Sequence, residues 1–252
     1  MAHPCLSHVI VLENENLEIE FGSKAGQLYI WFFEVQKKQN ILFKNATVWT
    51  SESEGILENT DVLVTDGKIK SVGKDLNFSD VKIIDATKSL YRYMDEFCTE
   101  EGLAASIAKD INNSIIAIYG VENSTDYIAS RFRAQIAENS KMFTSLNVVP
   151  EMNHNEIEGW NSFQFKNLNK VAIWIYDEDD NPRILDRIKI TTNLLEKIGV
   201  NNFLIKTTGK NYEERCLKLI YLNDWISYYL ALENNIDPIP VNRIMELKSK
   251  LT

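Results

Sequence analysis

Apolar and polar positions alternate in short runs along the first third of the chain. The runs include VIVLENENLEIEF at 9–21, ILFKNATVWT at 41–50 and DVLVTDGKIKSVG at 61–73. A period of two suits strands with one face buried, so residues 9–89 read as β. Asp66-Gly67, set between two such runs, is a strong short-range signal for a two-residue hairpin. Residues 1–92 are therefore expected to form a small antiparallel β-rich region.

After about residue 98 the period lengthens. TEEGLAASIAKDI predicts a helix, with Thr99 as its N-cap candidate and acidic residues in the first turn. SIIAIYG at 114–120 is a short buried strand ended by Gly120. A helical stretch over about 124–141, the strand TSLNVVP and the strand VAIWIY at 171–176 follow. Next come a helix over about 182–198, the strand NFLIK, a long helix over about 211–234 and a last helix from near Pro240 to Thr252. Strands alternating with helices predict a parallel sheet with helices on its faces. The fold class is α/β over 93–252, joined to the β-rich front through KSLYRYMDEFCTE, a stretch without flexible-linker composition.

Composition narrows the function classes. The 252 residues carry a formal net charge of −9, which disfavours a phosphate-backbone partner such as nucleic acid. Cys5, Cys98 and Cys216 form no C-x-x-C spacing, so neither a disulfide framework nor a zinc site is indicated. The longest apolar runs, LYIWFF at 28–33 and VAIWIY, fall far short of the roughly 20 residues of a membrane span. MAHPCLSH has no signal-peptide pattern. These features lead us to expect a cytoplasmic protein with no membrane partner.

VVPEMNHNEIEGW, at 148–160, packs Glu151, His154, Glu156 and Glu158 behind Pro150. The cluster has two readings. Asn153 or Asn155 can cap a following helix and leave the charges as solvated decoration. Alternatively, a carboxylate and a histidine at a pocket edge can supply acid–base chemistry. DEDDNPRILDR, at 177–187, reads mainly as an acidic loop before a helix whose first turn holds Pro182, with cation binding the lesser alternative. Trp225, Tyr228 and Tyr229 in DWISYYLAL read as a buried helix face.

The run EGLAASIAKDI, IIAIYG, RFRAQIAENSK, NVVPEMNHNEIEGW and LIYLNDWISYYLALENNIDPIPVNRIMELKSKL, in that order, resembles the C-terminal half of bifunctional phosphoglucose/phosphomannose isomerases over about 101–252. That family is built from two sugar-isomerase (SIS) domains, each an α/β/α sandwich around a parallel sheet. In the front, ILFKNATVWTSESEGILENTDVLVTDGKIKSVGKDL with KIIDAT is similar to the N-terminal β-sandwich segment of amidohydrolases. The first residues resemble the opening strands of aldose 1-epimerases, so the chain reads as a mosaic. His3, His8 and His154 are its only histidines, and the amidohydrolase H-x-H metal strand has no counterpart.

The isomerase resemblance implies interconversion of glucose 6-phosphate or mannose 6-phosphate with fructose 6-phosphate through an enediolate, with no cofactor. It implies Glu138 as the proton-shuttling base, His154 as the ring-opening histidine supplied by a partner subunit, and Lys248 as the lysine assisting ring opening. Arg131 also matches a family position and is assigned to packing or ion pairing. The expected partners are a sugar phosphate and a second copy in a homodimer. In the family, the N-terminal SIS domain supplies a Ser/Thr-rich phosphate loop and an arginine that stabilises the enediolate. No Gly- and Ser-rich phosphate-binding turn precedes a helix in residues 1–98, which makes a non-catalytic phosphosugar-binding or dimerisation module the second reading. Amidohydrolase-type metal hydrolysis is third and is disfavoured by the absent H-x-H.

Overall fold

A computed structural model describes residues 40–50, 53–66, 68–79, 82–85, 93, 97, 99–161 and 166–251. The strands expected at 9–21 and 28–33, Cys5, Cys98, His3 and His8, and most of the join lie outside the described residues.

Four strands form the first sheet: β1 (Ile41–Trp49), β2 (Ile56–Thr65), β3 (Lys68–Gly73) and β4 (Lys82–Asp85). Their order is β3-β2-β1-β4. The hairpin expected at Asp66 joins β2 to β3, with Thr65 opposite Lys68 and Asp66 at φ 52°. The antiparallel expectation holds for β1, β2 and β3 only, because β4 pairs with β1 in parallel. Eight residues, 74–81, connect β3 to β4, enough to return the chain to the far edge of the sheet. Val48, Val62 and Val64 centre a small core here. At the β1 bulge Asn45 turns to φ 55°, and its freed N–H donates to the buried Asp61 carboxylate at 3.0 Å. Asp61 also accepts from the Leu76 N–H at 3.0 Å, tying the segment after β3 to β2.

The second unit has α1 (Leu103–Ile111), β5 (Ser114–Val121), α2 (Asp126–Gln135), a π-type turn (Ile136–Ser140) and β6 (Ser145–Val149). A 3-10 turn (Glu151–His154) and the one-turn α3 (Glu156–Gly159) lead to β7 (Asn169–Ile175) and α4 (Pro182–Glu196). The unit closes with β8 (Val200–Ile205), α5 (Tyr212–Glu233) and α6 (Asn242–Leu251). The four strands are all parallel, in the order β6-β5-β7-β8. Alternation along each strand divides the core between two faces. Ile116, Ile118, Ile173 and Ile175 pack among Ile107, Phe132, Leu219 and Ile226 of α1, α2 and α5. Ala117, Tyr119, Ala172 and Trp174 pack with Met152, Trp160 and the α4 residues Ile188 and Leu195. This is an α/β/α sandwich, as expected. Tyr93 and Phe97 pack into this unit: the Tyr93 hydroxyl bonds Thr208, and Phe97 is buried in the first of these clusters.

Two local expectations change. Thr99 does not cap α1; Gly102 occupies the N-cap without a side-chain bond, after a turn in which its N–H donates to the Thr99 carbonyl. Glu100 and Glu101 therefore precede the helix instead of filling its first turn. Gly120 lies inside β5 and does not end it. Its role is close approach, since a Cβ there would sit 2.6 Å from Asp126 Cα and 2.8 Å from Asp126 N. Because both contacts are backbone, Gly120→Ala must push the start of α2 off the sheet. We expect a cost of about 2 kcal/mol in urea unfolding, within the usual range for overpacking.

Candidate active-site residues

His154 ends the 3-10 turn that follows β6, with its imidazole exposed and no described residue bonded to it. The backbone around it is heavily anchored. Met152 is fully buried, and Asn153 Nδ2 donates to Thr191 Oγ1 on α4 at 2.8 Å. Asn155 caps α3 by accepting the Glu156 N–H at 2.6 Å, while its Nδ2 donates to Glu151 Oε1 at 2.8 Å. The capping reading of the asparagines thus holds for Asn155. Glu156 receives the Tyr119 hydroxyl at 2.8 Å on Oε1 and Asn147 Nδ2 at 2.8 Å on Oε2. The imidazole, without a partner among the described residues, thus stands on a turn anchored on both sides. A groove of about 400 Å³ borders this turn, lined by Asn153, Ile157, Ile190 and Leu194 with Arg183 and Arg187.

Glu138 sits in the π-type turn that extends α2, a helix irregularity often found at functional positions. The turn is fixed from behind by α5. Asn139 Nδ2 donates to Ser227 Oγ at 2.8 Å, and Ser140 Oγ donates to the Ser227 carbonyl at 2.7 Å. Arg131 forms a bidentate pair with Asp224, at 2.7 and 3.0 Å, and Gln135 adds a third bond to the same carboxylate. Arg131 is therefore the ion-pairing residue expected. Complete burial outweighs the Arg131 charge and holds the Asp224 carboxyl above its usual range. With these anchors behind it, the Glu138 side chain is exposed and has no described partner.

Lys248 lies on α6, none of whose residues is buried. The segment leading into that helix packs beside the Glu138 turn. Lys141, at φ 57° just past the turn, donates through Nζ to the carbonyls of both Glu138 and Pro238, and Asn234 Nδ2 reaches Met142 Sδ at 3.3 Å. Glu138 and the root of the Lys248 helix thus share one end of the sandwich.

His154 lies at the other end. Because β5 and β6 are parallel, α2 must run back from the C-terminal end of β5 to the N-terminal end of β6. Glu138 precedes β6 and His154 follows it, so the strand itself separates them by roughly 13 Å. The structure groups Glu138 with the Lys248 segment and places His154 apart from both.

The strand order reverses between β5 and β7, where open α/β sheets commonly hold ligands at the strand C-termini. Here the loop after β5 is closed on itself. Thr125 Oγ1 accepts the Val121 N–H at 3.0 Å and donates to the Ile175 carbonyl at 2.5 Å. Tyr212 donates its hydroxyl to the Ser124 carbonyl at 2.7 Å. Burial holds the Asp126 and Asp180 carboxyls above their usual range. The acidic run after β7 serves structure: Asp177 takes Arg215 through two 2.7 Å bonds, Asp179 takes it through a third, and Asn181 caps α4 by accepting the Arg183 N–H. Nearby, burial pushes the Cys216 thiol up to about 12, so the buried Cys216 stays a neutral thiol.

Sequence reading missed the supporting residues Tyr119, Asn147 and Ser227. Tyr119 and Ser227 reach their site segments from 37 and 87 residues away, and Asn147, though it opens the histidine motif, lies on the strand before it, so no local spacing marks these contacts.

Comparison with known proteins places these features in a family. Residues 100–251 match the model of the bacterial phospho-glucose isomerase C-terminal SIS domain. The bifunctional phosphoglucose/phosphomannose isomerase of Aquifex aeolicus is 38% identical over 146 residues, covering 57% of this chain and 45% of the relative. Its namesake from Caldicellulosiruptor bescii is 38% identical over 162 residues, covering 64% and 47%. A glucose-6-phosphate isomerase like protein from Thermus thermophilus overlaps with a TM-score of 0.49 at 17% identity, covering 65% of this chain and 54% of that one. The chain spans about half the length of the curated relatives it matches, and the β-rich front lies outside the residues matched by the family model. Through residues 100–251, which make up most of its length, the chain belongs to the bacterial phosphoglucose isomerase family as a C-terminal SIS domain.

Proposed function

We propose that this chain carries the acid–base half of a sugar-phosphate aldose–ketose isomerase site, acting on glucose 6-phosphate or mannose 6-phosphate to give fructose 6-phosphate. Glu138 moves the proton between C2 and C1, while His154 and Lys248 open the ring. What supports this reading is that Glu138 and His154 are both exposed, have no partner among the described residues and each stand on a turn anchored from behind. Side chains held on such supports are the arrangement that acid–base catalysis requires.

Because Glu138 and His154 of one chain stand at opposite ends of β6, the working site needs two copies. Glu138 and Lys248 come from one copy, and His154 comes from the other. The exposed apolar residues at the Glu138 end supply a surface for that association. Phe143 is 92% exposed and Ile239 69% exposed, and Ile244, Leu247 and Leu251 fall on one side of α6.

The second reading is a phosphosugar-binding or dimerisation module without turnover. It is favoured by the loop at the switch point, whose polar groups are already bonded to one another. A coupled assay with each aldose phosphate, run beside calorimetric titration with fructose 6-phosphate, separates the two. Turnover that falls in Glu138→Gln and His154→Ala supports the first reading. Binding without turnover supports the second, and neither binding nor turnover removes the sugar-phosphate assignment.

A further inference from the structure

We propose that Glu156 is a positioning residue for His154, acting through a strut that bolts the histidine turn onto strands β5 and β6; its catalytic consequence rests on the reading of His154 given above. The motif offers three carboxylates, Glu151, Glu156 and Glu158, and the structure uses them differently. Glu158 is exposed, and Glu151 engages only Asn155, the neighbour of Glu156. Glu156 alone reaches the sheet. Each of its oxygens accepts one bond: the Tyr119 hydroxyl of β5 at 2.8 Å and Asn147 Nδ2 of β6 at 2.8 Å.

The chain of bonds continues beyond the carboxylate. Trp160 Nε1, buried just after α3, donates to the Tyr119 oxygen at 2.7 Å. The Tyr119 ring lies 4.5 Å from that of Trp174 on β7, and Trp174 Nε1 donates to Asn202 Oδ1 at 2.9 Å. Asn147 is held in turn, because its Oδ1 accepts the Val148 N–H at 2.8 Å. Tyr119 can give its single proton to only one acceptor, and with Trp160 donating to its oxygen that proton goes to Glu156. Burial and the neighbouring Glu156 charge push the Tyr119 phenol upward, so it remains a donor throughout the working pH range.

The geometry has a direct consequence for His154. The turn is anchored on its N-terminal side by Met152 and by Asn153 bonded to Thr191, and on its C-terminal side by Asn155 and Glu156. The Asn155 cap ties the turn only to α3, and α3 is a single turn with no buried residue. Glu156 bonds it to the sheet through both Tyr119 and Asn147, and Trp160 bonds it to Tyr119 again. Removing the carboxylate takes away the two bonds nearest His154 on the C-terminal side of the turn, leaving Trp160 as the next attachment to the sheet, while the N-terminal anchors stay.

Histidine labelled at 13Cε1 provides the test, with the His154 resonance identified by its loss in His154→Gln. In Glu156→Gln and Tyr119→Phe we expect the ps–ns order of the His154 imidazole to fall clearly, at a temperature where circular dichroism shows each variant folded. Asn147→Ala, which removes only the Oε2 partner, should give a smaller change in the same direction and covers the case in which Tyr119→Phe fails to fold. Where wild-type protein isomerises a sugar phosphate, kcat should fall by about ten- to a hundredfold in Glu156→Gln, with KM within about twofold. Unchanged His154 order in folded Glu156→Gln and Asn147→Ala overturns the proposal. If wild-type protein shows no turnover, the isomerase reading fails while the resonance measurement still decides the role of Glu156.

Discussion

Replacing Asp177 with alanine is expected to destabilise the α/β unit by about 3 kcal/mol or more, because it strands a buried guanidinium. Arg215 is 4% exposed and Asp177 2% exposed, and two bonds of 2.7 Å join them. Asp179 bonds the same arginine but is 75% exposed, and Glu178 stands 3.9 Å away, so neither replaces a buried bidentate partner. The hydrogen bonds from Arg215 to Asp177 are also the main reason the guanidinium holds its proton more tightly than usual. Urea unfolding should show the loss as a lower midpoint at an unchanged slope. Changing both members, Asp177→Leu with Arg215→Met, should cost much less than Asp177→Ala alone, since an apolar pair leaves no charge buried. A loss below about 1 kcal/mol in Asp177→Ala would show that the pair has little structural weight.

The second large effect is on catalysis. Glu138→Gln should lower kcat on fructose 6-phosphate by about 10²–10⁴-fold, the range contributed by one positioned acid–base group. KM should change little, because the amide keeps the shape of the side chain. Stability should change little too, since the Glu138 carboxylate is exposed and has no described partner. His154→Ala should behave similarly. Unfolding curves that match wild type while turnover collapses are the expected signature, and a parallel loss of both would point to a structural role instead.

Much of this architecture was legible along the chain. Alternating isoleucines in β5 and β7 and the long helix over 212–233 are local patterns, and so is the Asp66 hairpin. Features that depend on distant partners were not. The π-type turn at Glu138 is fixed by Ser227, which contacts Ser140 from 87 residues away. The start of α1 shifted from Thr99 to Gly102 because capping depends on the path of the chain and not only on residue type. The parallel placement of β4 was likewise hidden, since a four-residue strand carries no mark of its neighbour.

The site residues show the same division. RFRAQIAENSK and NVVPEMNHNEIEGW drew attention to Glu138 and His154 as a pair, yet the parallel pairing of β5 and β6 sends them to opposite ends of the sandwich. Among three similar carboxylates in one motif, only Glu156 meets Tyr119 and Asn147. Nothing within that motif distinguishes it. Lys248, which the isomerase resemblance implies assists ring opening, is exposed on α6, and the segment leading into that helix passes beside the Glu138 turn.

The central claim is that a working site draws Glu138 from one copy and His154 from another. It is tested most directly by mixing two inactive variants, Glu138→Ala and His154→Ala, after brief unfolding and refolding together. In a twofold dimer about half of the assemblies are mixed, and each holds one intact composite site, so about a quarter of the wild-type rate should return. A mixture that stays as inactive as its two components, under conditions where refolded wild-type protein turns over, would contradict the account.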